Sequence, residues 1–273
     1  MQQQMDETTL HANNQTNRPM ALVTGASSGI GYQYARQLAQ KGYSLIIVSN
    51  EAEALTEKAE ILRKDFPIDV VPLVRNLGTP EAAKELFDYC QAQHYEVEVL
   101  INNAGVYHDR DFIADSVEFN ELILNLHVNT PAMLCYYFSK EMVNRHKGYI
   151  LNMSSITSNI VVQRLATYSA TKAFLKNFSR SLHIELYHKG VYVTAVRPGA
   201  VNTGLYNISN TATKIGMAIG YIVSPEKLAR QGLRGLFHHR ACVTPGIFNH
   251  ILLFLVALLP TGLLRLIRRW KIF

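Results

Sequence analysis

A tyrosine and a lysine four residues apart, Tyr168 and Lys172, are the first candidates for chemistry in this 273-residue chain. The stretch from Thr167 to Lys189 has helical spacing, so the two side chains share one helix face. A phenol with an ordinary pKa near 10 is a poor acid–base group at neutral pH. A neighbouring ammonium favours the phenolate and lowers that value. Such a pair could give and take a proton at a carbonyl or alcohol oxygen. The same spacing also suits a packed aromatic beside a solvated amine. A second candidate is Gly25-Ala26-Ser27-Ser28-Gly29-Ile30-Gly31, which follows a short apolar run. Gly25 permits a tight turn, and Gly29 and Gly31 let backbone and helix close on a pyrophosphate, whose charge would rest on the helix N-terminal N–H groups. An ordinary strand–helix turn uses glycine as well. Ser155, after another apolar run, could hydrogen-bond a substrate oxygen and stabilise charge there; Ser pairs at strand ends are also plain turn residues.

The elements that would hold these groups alternate along the chain. Short apolar runs at Met20–Thr24, Leu45–Val48, Val70–Val74, Val97–Ile101, Gly148–Met153 and Val191–Val196 read as buried strands. Between them Ile30–Gln40, Glu51–Lys64, Pro80–Gln93, Glu118–Asn144 and Thr167–Lys189 read as helices, with Pro131 a local kink in the fourth. Strands of this kind separated by helices predict a parallel sheet covered on both faces, a doubly wound, Rossmann-type α/β fold. One such domain is expected over residues 19–245, after a loose polar extension at 1–18 that has no apolar segment of a secretory signal.

Thr24–Gly31 resembles the cofactor turn of the short-chain dehydrogenase/reductase family, in its single-domain oxidoreductase form. Further motifs of that family follow in order: Asn102-Asn103-Ala104-Gly105 after the fourth strand, Asn129 within His-Val-Asn-Thr, Ser154-Ser155, Tyr168 and Lys172 as YxxxK, and Pro198-Gly199 with Val201 and Thr203 beyond. The resemblance covers about residues 19–245 and implies a catalytic set of Asn129, Ser155, Tyr168 and Lys172. In it Tyr168 exchanges the proton, Lys172 tunes it and holds the nicotinamide ribose, and Asn129 holds a water that relays protons to Lys172. Read from the residues alone, Asn129 is equally a cap near Pro131. The resemblance also implies cofactor contacts from Gly25, Ser27, Ser28, Gly29, Ile30, Gly31, Asn103, Ala104 and Gly105. It adds Pro198, Gly199, Val201 and Thr203 at the carboxamide, and an oligomer of identical chains.

Family members specific for NAD usually carry an Asp at the end of the second strand, and those specific for NADP carry an Arg one position later. Here Ser49 and Asn50 stand at those positions. The missing carboxylate removes repulsion of a 2′-phosphate, and both side chains could donate to it, so NADP(H) is favoured over NAD(H). Asn76 replaces the Asp that often holds the adenine. Val106, Tyr107, Ile156, Thr157, Arg164, Leu165 and the mixed segment 200–223 would wall the substrate side, and their apolar character suggests a lipid- or steroid-like ketone or alcohol. An NAD-linked alcohol or hydroxysteroid dehydrogenase is the alternative within this class. A non-catalytic nucleotide sensor or membrane scaffold is the alternative outside it.

Composition narrows the rest. With 48% hydrophobic and 18% charged residues the chain is neither disordered nor collagen-like. The net charge of +6 sits in the C-terminal part, where eight Lys or Arg and no Asp or Glu follow Glu226. The main body is therefore slightly acidic and no nucleic-acid partner is expected. Residues 246–273 carry an apolar run, a Pro-Thr-Gly break, and then Leu263, Leu264, Leu266, Ile267 and Trp270 opposite Arg265, Arg268 and Arg269. That pattern suits an amphipathic helix on an anionic membrane surface, or a tail packed on protein. Three scattered cysteines suggest a reducing, cytoplasmic setting. The His238-His239 pair lacks acidic or Cys neighbours at ligand spacing, so no metal is expected.

Overall fold

The computed structural model describes residues 19–201, 222–246 and Asn249. Thr203, most of the segment 200–223 and most of the tail 246–273 lie outside the described residues, as does the extension 1–18. The elements run β1 (Met20–Thr24), α1 (Gly29–Gln40), β2 (Ser44–Ser49), α2 (Ala52–Asp65), β3 (Val70–Val74), α3 (Ala82–Ala92) and β4 (Val97–Asn102). They continue with α4 (Val117–Leu124), a π-helical turn (Asn125–Asn129), α5 (Thr130–Asn144), β5 (Gly148–Met153), α6 (Ala166–Leu186) and β6 (Val191–Val196). The last are β7 (Ala200–Val201), β8 (Ile222–Val223), α7 (Pro225–Phe237) and β9 (Cys242–Val243).

Seven strands form one sheet in the order β3-β2-β1-β4-β5-β6-β9, and every pairing is parallel. The fold is the doubly wound Rossmann-type sheet that the alternation implies. β1 and β2 are buried at every residue, because side chains alternate between two covered faces. Ala21, Val23, Leu45 and Ile47 pack with Tyr34, Leu38 and Leu233 from α1 and α7. Met20, Leu22, Ile46 and Val48 pack with Leu86, Phe138 and Met142 from α3 and α5. Fully burying one such side chain contributes about 1.5–3 kcal/mol, so these two layers fix the sheet on which the site is built. Ser224 accepts the Lys227 N–H at 3.2 Å and Pro225 occupies the first turn, the start signal of α7. β9 is two residues long, too short for any periodic signal.

The long helix over Glu118–Asn144 is broken a turn earlier than Pro131 alone suggests. Thr130 N–H reaches back to Asn125 O, five residues away, and Pro131 has no N–H for the His127 carbonyl. The helix widens into a π turn there, and His127 of that turn meets Val106 in the loop after β4.

Candidate active site

All strands of the sheet run the same way, so their carboxyl ends share one edge, where ligands bind in this fold. β1 leads into the glycine turn. Gly25 and Gly29 have φ of 66° and 53°, left-handed values that suit glycine. A Cβ on Gly25 would lie 2.9 Å from Ala104 Cα, and one on Gly31 would collide with Gly25 O. Gly31→Ala should therefore force the turn apart and weaken dinucleotide binding by at least about 100-fold in a fluorescence titration, because backbone atoms cannot step aside as a side chain can. The cradle is braced from β4. Thr24 Oγ1 accepts Asn103 N–H and Ala104 N–H at 2.9 and 3.0 Å, and Asn103 Nδ2 donates to Thr24 O and Gly25 O at 3.0 and 3.2 Å. Asn103 thus holds the turn's backbone. Ser28, the N-cap of α1, makes no side-chain cap bond, and the first turn has no acidic residue. The first N–H groups of a helix lack intrahelical acceptors, so this end of α1 fits the pyrophosphate of a dinucleotide, as does the space kept by Gly25 and Gly31.

At the end of β2, Ser49 Oγ donates to Ser27 Oγ at 3.0 Å, and Ser27 Oγ donates to Glu51 Oε2 at 2.6 Å. Glu51 is exposed, and it brings a carboxylate beside the glycine turn that positions 49 and 50 lack. Asn50 is exposed. Asn76 Oδ1 accepts the Gly78 N–H at 2.9 Å in a local turn.

An open cleft lies between the glycine turn, β5 and α6. Ile30, Asn103, Gly105, Val106, Ser154, Ser155, Tyr168, Lys172, Pro198, Gly199 and Val201 line it, together with His127 and Met153. Ser155 Oγ accepts the Thr157 N–H at 3.1 Å, capping a short 3-10 turn, and its own O–H proton is not used in that bond. Lys172 Nζ donates to Met153 O at 3.0 Å and lies 5.5 Å from the Tyr168 ring centre. Burial pushes the Lys172 ammonium down to about 7. Tyr168 is 8% exposed. Its ring meets Tyr107 edge-on at 5.3 Å and joins Leu165, Ile123 and Val106 in an apolar cluster, of which Tyr168 and Val106 line the cleft. Arg164 is paired with Asp109 at 2.9 Å and is not among the residues that line the cleft.

Asn129 stands apart from this group. Its Nδ2 donates to Pro80 O at 3.2 Å on the exposed side of the helix. Two residues along a helix turn a side chain by about 200°, and His127 takes the inward position. His127 is 1% exposed and its ring centre is 5.8 Å from that of Tyr168. Burial first, and then the Lys172 charge, hold its imidazole well below the ordinary value. The sequence carried a signal for this. The buried face of α4, the π turn and α5 runs through Ile123, His127, Thr130, Leu134 and Phe138, and Asn129 falls off it.

Residues 19–214 match the family model described as short chain dehydrogenase. The chain is 32% identical over 195 residues to a very-long-chain 3-oxoacyl-CoA reductase of Anas platyrhynchos, covering 69% of this chain and 62% of that protein. Among solved structures, a bulky-bulky ketone specific alcohol dehydrogenase from Comamonas testosteroni superposes with a TM-score of 0.74 at 27% identity, over 84% of this chain and 87% of the other. A short-chain dehydrogenase from Sphingobium yanoikuyae in complex with NADPH gives 0.75 at 28% identity, over 84% and 88%. The match spans well over half of the chain and falls on the same turn, strands and helix that build the cleft. The chain belongs to the short-chain dehydrogenase family.

Proposed function

We propose that this protein moves a hydride between NADP(H) and the carbonyl or hydroxyl carbon of a bulky apolar substrate, with Tyr168 as the proton donor and acceptor. The observation that carries this reading is the joining of Ser155, Tyr168 and Lys172 on one cleft beside the glycine turn. The dinucleotide, when bound, supplies the hydride chemistry. The chain's residues do the rest. The N-terminus of α1 and the glycine turn receive the pyrophosphate, while Pro198, Gly199 and Val201 close the nicotinamide end, with Thr203 completing it from outside the described residues. Ser155 donates its O–H to the substrate oxygen and stabilises charge developing there. Tyr168 gives its phenolic proton to the same oxygen in the reducing direction. When protonated, Lys172 favours the phenolate that is left.

The apolar cluster of Tyr107, Ile123, Leu165 and Val106 around Tyr168, which meets the cleft at Val106 and Tyr168, favours a ketone flanked by large apolar groups. The duck relative is a very-long-chain 3-oxoacyl-CoA reductase and the Comamonas relative is specific for bulky-bulky ketones, which supports that chemistry. The NADP(H) preference rests on the missing carboxylate at 49 and 50, and a relative that carries NADPH supports it. Glu51 is the opposing charge. Seated on Ser27, it favours the alternative, an NAD-linked alcohol or hydroxysteroid dehydrogenase; turned into solvent, it frees Ser27 and Ser49 to donate to a 2′-phosphate. Glu51→Gln should therefore raise the ratio of NADPH to NADH affinity by roughly tenfold, most clearly at low salt. Titration of the wild type with each nucleotide, followed by nicotinamide fluorescence, tests the preference itself. Tighter NADPH binding supports it, and tighter NADH binding overturns it.

Among the described residues no helix is long and apolar enough to cross a membrane. The basic amphipathic pattern of residues 246–273 supports contact with an anionic membrane surface. Exposed Val117, Leu124 and Tyr136 on α4 and α5 support assembly with a second copy.

A further inference from the structure

We propose that His127 is a positioning residue of the active site, a neutral imidazole whose two ring nitrogens pin the 103–107 loop to the turn of α6 that carries Tyr168. The inference rests on the reading of Tyr168 as the proton donor, and it gives the inward place on the π turn a role that Asn129 does not fill.

The hydrogen bonds fix the ring's protonation. Val106 N–H can only donate, and it lies 3.0 Å from His127 Nε2, so Nε2 carries no proton. Nδ1 is 3.2 Å from Thr171 Oγ1, and the Thr171 hydroxyl donates to Tyr168 O at 2.8 Å. The hydroxyl's proton being used there, it accepts from Nδ1–H. The chain of bonds therefore runs Val106 N–H to His127, His127 to Thr171, and Thr171 to Tyr168 O. Both ring nitrogens are occupied, and the ring has one tautomer.

The surroundings hold that state. His127 and Thr171 are each 1% exposed. A Cβ on Gly105 would lie 2.8 Å from Nε2, so the loop approaches the ring as closely as a glycine allows. The titratable groups around the ring are Tyr168 and Lys172, both on α6, with Tyr107 behind Tyr168, and no carboxylate lines the cleft among the described residues. A proton on Nε2 would leave Val106 N–H facing another donor and set a second cation near Lys172. Burial and Lys172 push His127 in the same direction. The brace ties the loop that carries Val106 to the helix turn that carries Tyr168, and both side chains line the cleft. An aligned reaction is sensitive to displacements of about 1 Å, which can cost about 100-fold in rate.

The test combines ring nitrogen NMR of the full-length protein with kinetics of His127→Ala and His127→Gln. At pH 6 the wild-type ring should be neutral with the proton on Nδ1, although an ordinary histidine with a pKa of about 6.5 is mostly protonated there. His127→Ala should lower kcat by about 100-fold while nucleotide binding stays within about threefold, and His127→Gln, which can both donate and accept, should recover at least about tenfold of that loss. A ring that is protonated or carries Nε2–H at pH 6 overturns the inference. So does an Ala variant with wild-type kcat, or a Gln variant no better than Ala. If the Ala variant does not fold, the wild-type NMR and the Gln variant decide. A wild-type protein that turns over no carbonyl or alcohol would instead overturn the proposed function, and the NMR result would still report on the ring.

Discussion

Tyr168→Phe is expected to lower turnover by about 1,000-fold while leaving nucleotide binding within about threefold, since a general acid contributes about 10²–10⁴-fold and the change removes one oxygen only. The phenyl ring keeps the packing. It still meets Tyr107 edge-on and fills the same apolar cluster, so neither the fold nor the cleft wall should shift. Only the hydroxyl is lost from the cleft. A loss confined to kcat, with unchanged nicotinamide fluorescence on binding, separates a missing acid from a damaged pocket. Turnover within a few-fold of wild type would move the proton donor elsewhere.

Lys172→Met should have two large effects of opposite kind. Turnover should fall by about 100-fold or more, because the ammonium that favours the Tyr168 phenolate is gone. Stability should rise by roughly 1–4 kcal/mol at pH 7, as when other buried charged groups are replaced by apolar residues of similar size. The cause is burial, which pushes Lys172 from 10.5 to about 7. Between those values the unfolded chain binds more protons at this position than the folded one, so this residue's contribution makes wild-type stability climb with pH across that window. The contribution is present above the unfolded value near 10.5 and lost as pH falls to about 7. The gain of Lys172→Met over wild type should therefore be largest at or below pH 7 and shrink toward pH 10.5. Chemical denaturation of both proteins at several pH values checks this. A constant difference across the range would mean that the folded Lys172 titrates like an exposed lysine. A buried ammonium that donates to the Met153 carbonyl costs stability, and a catalytic role is a sufficient reason to keep it.

The fold was legible because its signals are long and periodic. Apolar runs such as Leu45–Val48, alternating with helical stretches, leave few arrangements besides a parallel sheet. The glycine turn and the Tyr168–Lys172 spacing were legible for a similar reason, since backbone geometry or one helix face fixes the residue types. What the sequence concealed depends on contacts between distant segments. Glu51 reaches Ser27 across the gap between β2 and the glycine turn, and neither residue's local pattern announces it. Asn76 and Asn103 stand where the motif order puts them, yet their side chains serve a local turn and the backbone of the glycine turn. Asn129, expected from the motif, lies off the buried face on which His127 stands, because a motif aligned by residue type ignores helix phase. The phase of the buried face, in a helix that widens into a π turn just before Pro131, turns His127 inward.

The central claim is hydride exchange with an apolar carbonyl compound through Tyr168. Its most direct test is the loss of reduced-nicotinamide absorbance when wild-type protein, NADPH and a series of bulky apolar ketones are mixed, with Tyr168→Phe alongside. The account predicts consumption of NADPH that depends on both ketone and wild-type Tyr168. NADPH that binds but is not consumed with any ketone, or is consumed equally by the Phe variant, would contradict it.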